Sequence, residues 1–336
     1  MRPDATDGPV LQRGLGVSAA PPRIAAVLIG RNEGARLVAA LASVPPGVSP
    51  VVYVDSGSTD GSVAAAESAG ALVVRLDLTR PFTAARARNE GFAALGPDLP
   101  DFVQFVDGDC TLAPGWIETA AAFLVATPRA AVACGRRRER FPEASVWNRL
   151  CDAEWDTPVG PTRACGGDAM MRAAAFAEVG GFNPGLIAGE EPELCVRLRA
   201  AGWEVWRLDA EMTLHDAAMT RLGQWWKRMR RGGHAFAEGA AMHGRPPERH
   251  FVREMRSALV WGFGVPVAAV AGVVAFGPWG LLALLAWPLQ VLRLAPRLGP
   301  GRAAFLTLGK LPEAMGVAEY WLRRLRGRPA GLIEYK

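Results

Sequence analysis

The chain has 336 residues, of which half are apolar and 21% charged, with a formal net charge of +5. That length holds one large α/β domain plus a smaller element, and the apolar share allows a substantial core. Basic residues crowd the second half, from Lys227 onward, with no aromatic-interleaved motif for RNA or DNA; the pattern suits an anionic membrane surface or a phosphate-bearing substrate and excludes nucleic acid as the expected partner.

In chain order, residues 1–22 are rich in Pro, Gly and Ala and read as a loose tail without the apolar run of a secretory signal. Residues 24–29 form a first buried strand ending in Gly30-Arg31-Asn32-Glu33-Gly34, and an amphipathic helix follows to Ala42. Residues 51–54 make a second strand, which opens into Asp55-Ser56-Gly57-Ser58-Thr59-Asp60-Gly61-Ser62. An Ala-rich helix to Ala69, a strand near 71–75 and a helix over 83–95 lead to a strand at 102–106. Strands alternating with helices imply a parallel sheet covered on both faces, with ligands gathered beyond the carboxyl ends of the strands. Every polar cluster just named falls at such an end. Beyond Arg140 the chain is richer in Trp and Gly, and one strong helix over 193–201 stops at Gly202. Five scattered cysteines with no C-x-x-C pair fit reduced thiols in a cytosolic domain.

The strand at 102–106 delivers Asp107-Gly108-Asp109. In extended backbone, residues i and i+2 share a side. Two carboxylates held so offer hard oxygen ligands to Mg²⁺ or Mn²⁺, which completes its shell with water and phosphate oxygens; a solvated Asp-Gly turn is the plainer alternative. Asp55, also at a strand end, can accept from the N3–H of a pyrimidine or from ribose hydroxyls, with small residues behind it allowing close approach. Asp60 or Ser58 is expected to cap the next helix. Glu190 and Glu191 precede a helix, where its dipole favours negative charge.

Taken together, Gly30-Arg31-Asn32-Glu33, the loop from Asp55 to Ser62, Ala87-Arg88-Asn89-Glu90-Gly91 and Asp107-Gly108-Asp109 resemble the family 2 glycosyltransferases of GT-A fold. Gly166-Gly167-Asp168, Gly180-Gly181-Phe182, Gly189-Glu190-Glu191 and Arg197 to Trp203 continue the likeness, which covers about residues 23–236. The resemblance implies an α/β fold with a mostly parallel central sheet flanked by helices. It implies an inverting transfer from a nucleotide-diphosphate sugar, with Asp107 and Asp109 holding the metal and His215 completing its contacts. Donor contacts fall to Asp55, Arg31, Glu33, Arg88 and Asp107. The general base maps onto Glu190 and Glu191, with Glu191 where the family has Asp. Such a base takes the acceptor proton as attack proceeds, and burial beside a second carboxylate suits it to that task. Gln224-Trp225-Trp226-Lys227-Arg228 departs from the Gln-x-x-Arg-Trp of processive synthases, which favours a single transfer. Its Lys227 and Arg228 suit donor phosphate, or the whole segment suits a membrane interface.

From 257 to 292 no residue is charged, and Gly277-Pro278 divides the run into two segments of about 17–20 residues, each long enough for a ~30 Å hydrocarbon layer. Arg256 and Arg293 bound it, so a spanning hairpin would leave both ends in the cytoplasm. The expected organisation is a tail (1–22), a GT-A domain (23–240), a basic interfacial linker (241–256), a hydrophobic hairpin (257–292) and a basic amphipathic segment (293–336). The expected enzyme serves cell-envelope polysaccharide synthesis at the cytoplasmic membrane, with a lipid-linked or membrane-proximal glycan as acceptor. Transfer to polyprenyl phosphate, and a nucleotide-sugar-binding scaffold without turnover, are the alternatives. A nicotinamide-dependent enzyme is disfavoured because the first strand ends without G-x-G-x-x-G.

Overall fold

The computed structural model describes residues 20–327; residues 1–19 of the expected tail and 328–336 of the expected C-terminal segment lie outside them. Nine strands are present among the described residues: β1 Ile24–Gly30, β2 Val51–Asp55, β3 Leu72–Arg75, β4 Phe102–Asp107, β5 Cys110–Leu112, β6 Ala130–Glu139, β7 Gly160–Pro161, β8 Ala169–Arg172 and β9 Glu204–His215. They form one sheet in the order β3-β2-β1-β4-β8-β6-β9-β5, with β7 paired to β9. Pairing is parallel from β3 to β4, as the βα alternation requires. β8 then enters antiparallel, with Ala169 opposite Phe105 and Arg172 opposite Phe102. It starts where β4 ends, so the loop before it is delivered to the end of β4 that bears Asp107.

Helices α1 (Ala35–Ala42), α2 (Ser62–Ser68) and α3 (Ala84–Ala93) follow the first three strands. α4 (Trp116–Ala126), α5 (Val146–Glu154), α6 (Ala173–Glu178) and α7 (Glu190–Ala200) cover the rest of the sheet. The central strands β1 and β4 are almost continuously apolar and buried, as strands covered on both faces must be. α3 packs unusually tightly on β1 and β2. A Cβ on Gly91 would overlap Val27 and lie 2.8 Å from a methyl of Val54, so only glycine lets this helix approach.

α8 (Leu222–His243) leaves the sheet domain and meets α9 (Val252–Leu259) and α13 (Lys310–Leu325). Gly233 and Gly316 allow α8 and α13 backbone contact, because a Cβ on either would strike the other helix's main chain. α8 already covers the start of the expected 241–256 linker. A π turn (260–264) joins α9 to α10 (Val265–Phe276), and the chain reverses at Gly277, φ +63°. A 3₁₀ stretch (277–285) folds back so closely that a Cβ on Gly280 would overlap the backbone of Gly272 and Val273. α11 (Ala286–Leu298) and α12 (Pro300–Leu308) return the chain to α13. The stretch Val252–Leu298 holds an apolar segment long enough to cross a membrane by length and composition, and little of that segment is buried.

Gly91→Val should insert methyl groups into a filled space. We expect a cost of about 1–3 kcal/mol, seen as a lower thermal unfolding midpoint.

Candidate active site

β1 and β4 are neighbours whose loops part at their carboxyl ends, which opens a crevice there. Gly108 donates its N–H to the Ile29 carbonyl at 2.8 Å, and a Cβ on it would sit 2.9 Å from that oxygen. The turn after β4 is thereby fixed against β1. The resulting cleft, about 550 Å³, is lined by Gly30, Arg31, Glu33, Ser56, Asp107, Asp109, Arg137, Trp155, His215, Arg228 and Arg231, among others.

Asp107 lies between two guanidiniums, 2.7 Å from Arg88 Nη2 and 3.4 Å from Arg137 Nη2. Burial alone would raise its pKa, but Arg88 and Arg137 outweigh that and hold the carboxyl well below the usual range. Arg88 also reaches Glu190 Oε1 and Glu191 Oε1, each at 3.1 Å. Burial works against the Arg88 charge, yet the three carboxylates keep it firmly protonated. Glu191 is pushed up to about 7, first by burial and then by the Glu190 charge, with Arg88 opposing. Both glutamates open α7, one turn earlier than the sequence pattern places that helix, after Gly189 at φ +81°. Neither lines the cleft: Arg88 stands between them and Asp107.

Asp109 takes a different direction. β4 ends at Asp107, so the i, i+2 rule for extended chain does not carry past it. Asp109 is buried with its Oδ2 3.4 Å from His215 Nε2, beside Cys110, and these three could present ligand atoms within 4.8 Å of one another. Asp107, Cys110 and Asp168 form an adjoining group. Burial, and then the Asp168 charge, push the Cys110 thiol well above its usual value, so it stays protonated. The available donors are therefore carboxylate oxygens and an imidazole nitrogen, a set that suits Mn²⁺ or Mg²⁺ better than a soft metal.

The structure separates the remaining expected residues. Arg31 and Glu33 line the cleft, Glu33 within 2.7 Å of Arg36. Asp55 is buried and committed to its own loop, with Oδ2 accepting from the Gly57 and Ser58 amides at 3.0 Å and Oδ1 from the Tyr53 hydroxyl at 3.2 Å. The neighbouring Ser56 hydroxyl is buried, lines the cleft and has no hydrogen-bond partner among the described residues. Asp60 accepts from Ser62 N–H, whereas Ser58 accepts from Asn32 N–H and caps nothing. Lys227 is exposed and does not line the cleft, while Arg228 does and is held by Glu154 at 2.7 and 3.0 Å. Trp225 is not interfacial. It is buried, stacked on Trp147 at 5.1 Å and packed edge-on to Phe305.

Four contributors lie outside the motif-based expectation. Arg137 binds Asp168 at 2.8 Å, and its guanidinium lies 5.5 Å from the Trp155 ring. Strand alternation within Arg136-Arg137-Arg138 could have singled it out, since its two neighbours pair elsewhere, with Asp152, Asp156 and Glu211. Asp168 is fully buried and accepts from Asp107 N–H at 2.9 Å and the Thr213 hydroxyl at 2.8 Å. It belongs to a quoted motif, but only the β8 pairing gives it this place. Glu139 accepts from Asn148 Nδ2, Phe141 N–H and Ala217 N–H, and lies 3.8 Å from His215 Nδ1. Trp155 meets the His215 ring edge-on at 4.9 Å. Gly167 completes the packing: a Cβ there would lie 2.9 Å from Asp107 Oδ2 and overlap Arg88.

The architecture, with its site at the carboxyl edge of the parallel half of the sheet, is that of the GT-A class of nucleotide-sugar transferase folds. The mannosyltransferase PcManGT from Pyrobaculum calidifontis, solved with GDP-Man and Mn²⁺, shares this fold with a TM-score of 0.63 at 21% identity, over 88% of this chain and 87% of that one. Residues 28–177 match the model of glycosyl transferase family 2. A pre-mycofactocin glycosyltransferase of Mycobacterium tuberculosis is 30% identical over 170 residues, covering 47% of this chain and 35% of the relative. The succinoglycan biosynthesis protein ExoA of Rhizobium meliloti is 27% identical over 194 residues, covering 53% of this chain and 58% of the relative. The chain thus spans about a third of the first relative's length and 58% of the second's.

Arg88→Ala would leave Asp107, Glu190 and Glu191 without their common counter-ion. Breaking a buried ion pair from one side costs about 3–5 kcal/mol, so the variant should melt markedly lower than wild type. Arg88→Lys should recover only part of the loss, because one ammonium cannot span three carboxylates as the guanidinium fork does.

Proposed function

We propose that this protein is an inverting glycosyltransferase that moves a single sugar from a nucleoside-diphosphate donor to an acceptor hydroxyl at the cytoplasmic face of a membrane. The observation that carries the reading is that Asp107, Asp109 and His215 all line one cleft at the carboxyl ends of β1 and β4, with Asp109 and His215 near enough to share an ion and Asp107 in the adjoining group. Those three would hold Mg²⁺ or Mn²⁺, whose charge offsets the negative charge gained by the departing diphosphate. Arg228 and Arg231 add fixed positive charge along the same cleft. The loop that Asp55 shapes receives the nucleotide base, with the Ser56 hydroxyl as the group left for it to engage. Arg31 and Glu33 border the donor on the β1 side.

Glu191 is the base in this reading. Burial and Glu190 place its proton affinity near neutrality, where a carboxylate is a competent acceptor yet still largely ionised at pH 8. Arg88, 3.1 Å from Glu191 and 2.7 Å from Asp107, ties the base to the donor side. Arg228, held by Glu154, stands where processive synthases carry the Trp of Gln-x-x-Arg-Trp, which supports single transfer over chain elongation. The exposed apolar reversal at Gly277, with Arg256 and Arg293 at its outer ends, supports membrane association with the catalytic domain in the cytoplasm. A second reading, transfer to polyprenyl phosphate, draws on the position of Glu190 and Glu191 behind Arg88 and off the cleft. A phosphate acceptor is already ionised and needs no base.

Purified full-length protein should bind or turn over one of the UDP-, GDP- or dTDP-sugars in Mn²⁺ but not in EDTA, and Asp109→Ala should abolish this. Folded protein that binds none of them would sink the transferase reading. Glu191→Gln should lower kcat by about 10²–10⁴ while donor binding persists; retained activity would favour the phosphate acceptor. With Glu191 as base, kcat should fall about tenfold per pH unit below about pH 7, because the protonated carboxyl cannot accept, and should level off above it.

A further inference from the structure

A second concavity shares no lining residue with the cleft. It measures about 570 Å³ and lies where Arg230 of α8, Phe263 of the π turn and one face of α13 converge. Phe263, Met315 and Leu322 give it apolar walls, and Arg230, Arg323, Arg326 and Glu319 give it charge. Three cations against one carboxylate leave a local excess of +2. Glu319 does not cancel its neighbours so much as hold them: Oε2 accepts from Arg230 Nε at 2.8 Å, and Oε1 lies 2.6 Å from Arg323 Nη2. Arg326 has no carboxylate partner among the described residues.

The setting selects the occupant. Phe263 belongs to the apolar stretch that reverses at Gly277, and Met315, Leu322 and Leu325 expose further apolar surface beside the arginines. The groove therefore lies where a basic layer meets apolar surface, as the phosphate and acyl regions of a lipid do. A zwitterionic headgroup would bring its own cation into a site that already holds an excess of two, whereas an anionic one would not. We propose that this groove binds an anionic phospholipid of the surrounding bilayer, its phosphate between Arg323 and Arg326 and an acyl chain along Phe263 and Leu322. The inference rests on the membrane association proposed above, and it places a lipid site outside the transfer site.

The test uses the full chain reconstituted in nanodiscs of phosphatidylcholine mixed with phosphatidylglycerol, then extracted in mild detergent, with retained lipid identified by native mass spectrometry. Wild type should keep phosphatidylglycerol in preference to phosphatidylcholine. Each arginine near an anionic surface contributes roughly fivefold, so Arg323→Gln with Arg326→Gln should reduce that enrichment by about tenfold or more. Arg245→Gln with Arg249→Gln, basic positions outside the groove, should leave it unchanged, and unaltered melting of both double variants would exclude misfolding. Equal retention in the groove variant and wild type, or equal loss in the control pair, would overturn the proposal. A wild-type chain that stays monodisperse without detergent and enters no nanodisc would instead overturn the membrane reading on which it rests.

Discussion

A buried guanidinium with three carboxylates around it is the constraint on which this site depends. Arg88 is 3% exposed at its side chain and touches Asp107, Glu190 and Glu191. None of those four charges would be tolerable alone in that position, since isolated buried ions cost several kcal/mol. Their mutual attraction joins α3, the end of β4 and the start of α7, three elements far apart in sequence. Arg137 repeats the device one step along by joining Asp107 to Asp168.

The scaffold makes that arrangement possible by close approach. Gly91 brings α3 down onto β1 and β2, Gly108 presses the β4 turn against β1, and Gly167 passes the β8 loop over Asp107. Each is a place where one methyl group would collide. The charge network and these contacts are two aspects of one fact: the ions are near enough to compensate one another because the backbone carries nothing between them.

The same charges set the electrostatics of the site. Asp107 is held ionised by its arginines, whereas Glu191, deeper and beside Glu190, is pushed toward neutrality. Two carboxylates held by one guanidinium are thus driven in opposite directions. That divergence is what a site needs in order to keep one group permanently anionic and let another exchange a proton near pH 7.

The sequence by itself determined the βα alternation, the strand-end position of Asp107 and the pairing of Glu190 with Glu191 at a helix start, because these depend on local periodicity and turn chemistry. It also determined that 257–292 carries no charge and that Gly277 divides it. Tertiary structure decided the rest. Asp55 turned into its loop because the Gly57 and Ser58 amides lie within reach, and Asp109 left Asp107 because the strand stops between them. Trp225 went to the core because Trp147 and Phe305 face it. Arg137 and Asp168 acquire their partners, and Glu139 its place beside His215, only through pairings of β6, β8 and β9 across tens of residues. No local pattern encodes such a pairing: it follows from which strands fit beside one another once the core has closed.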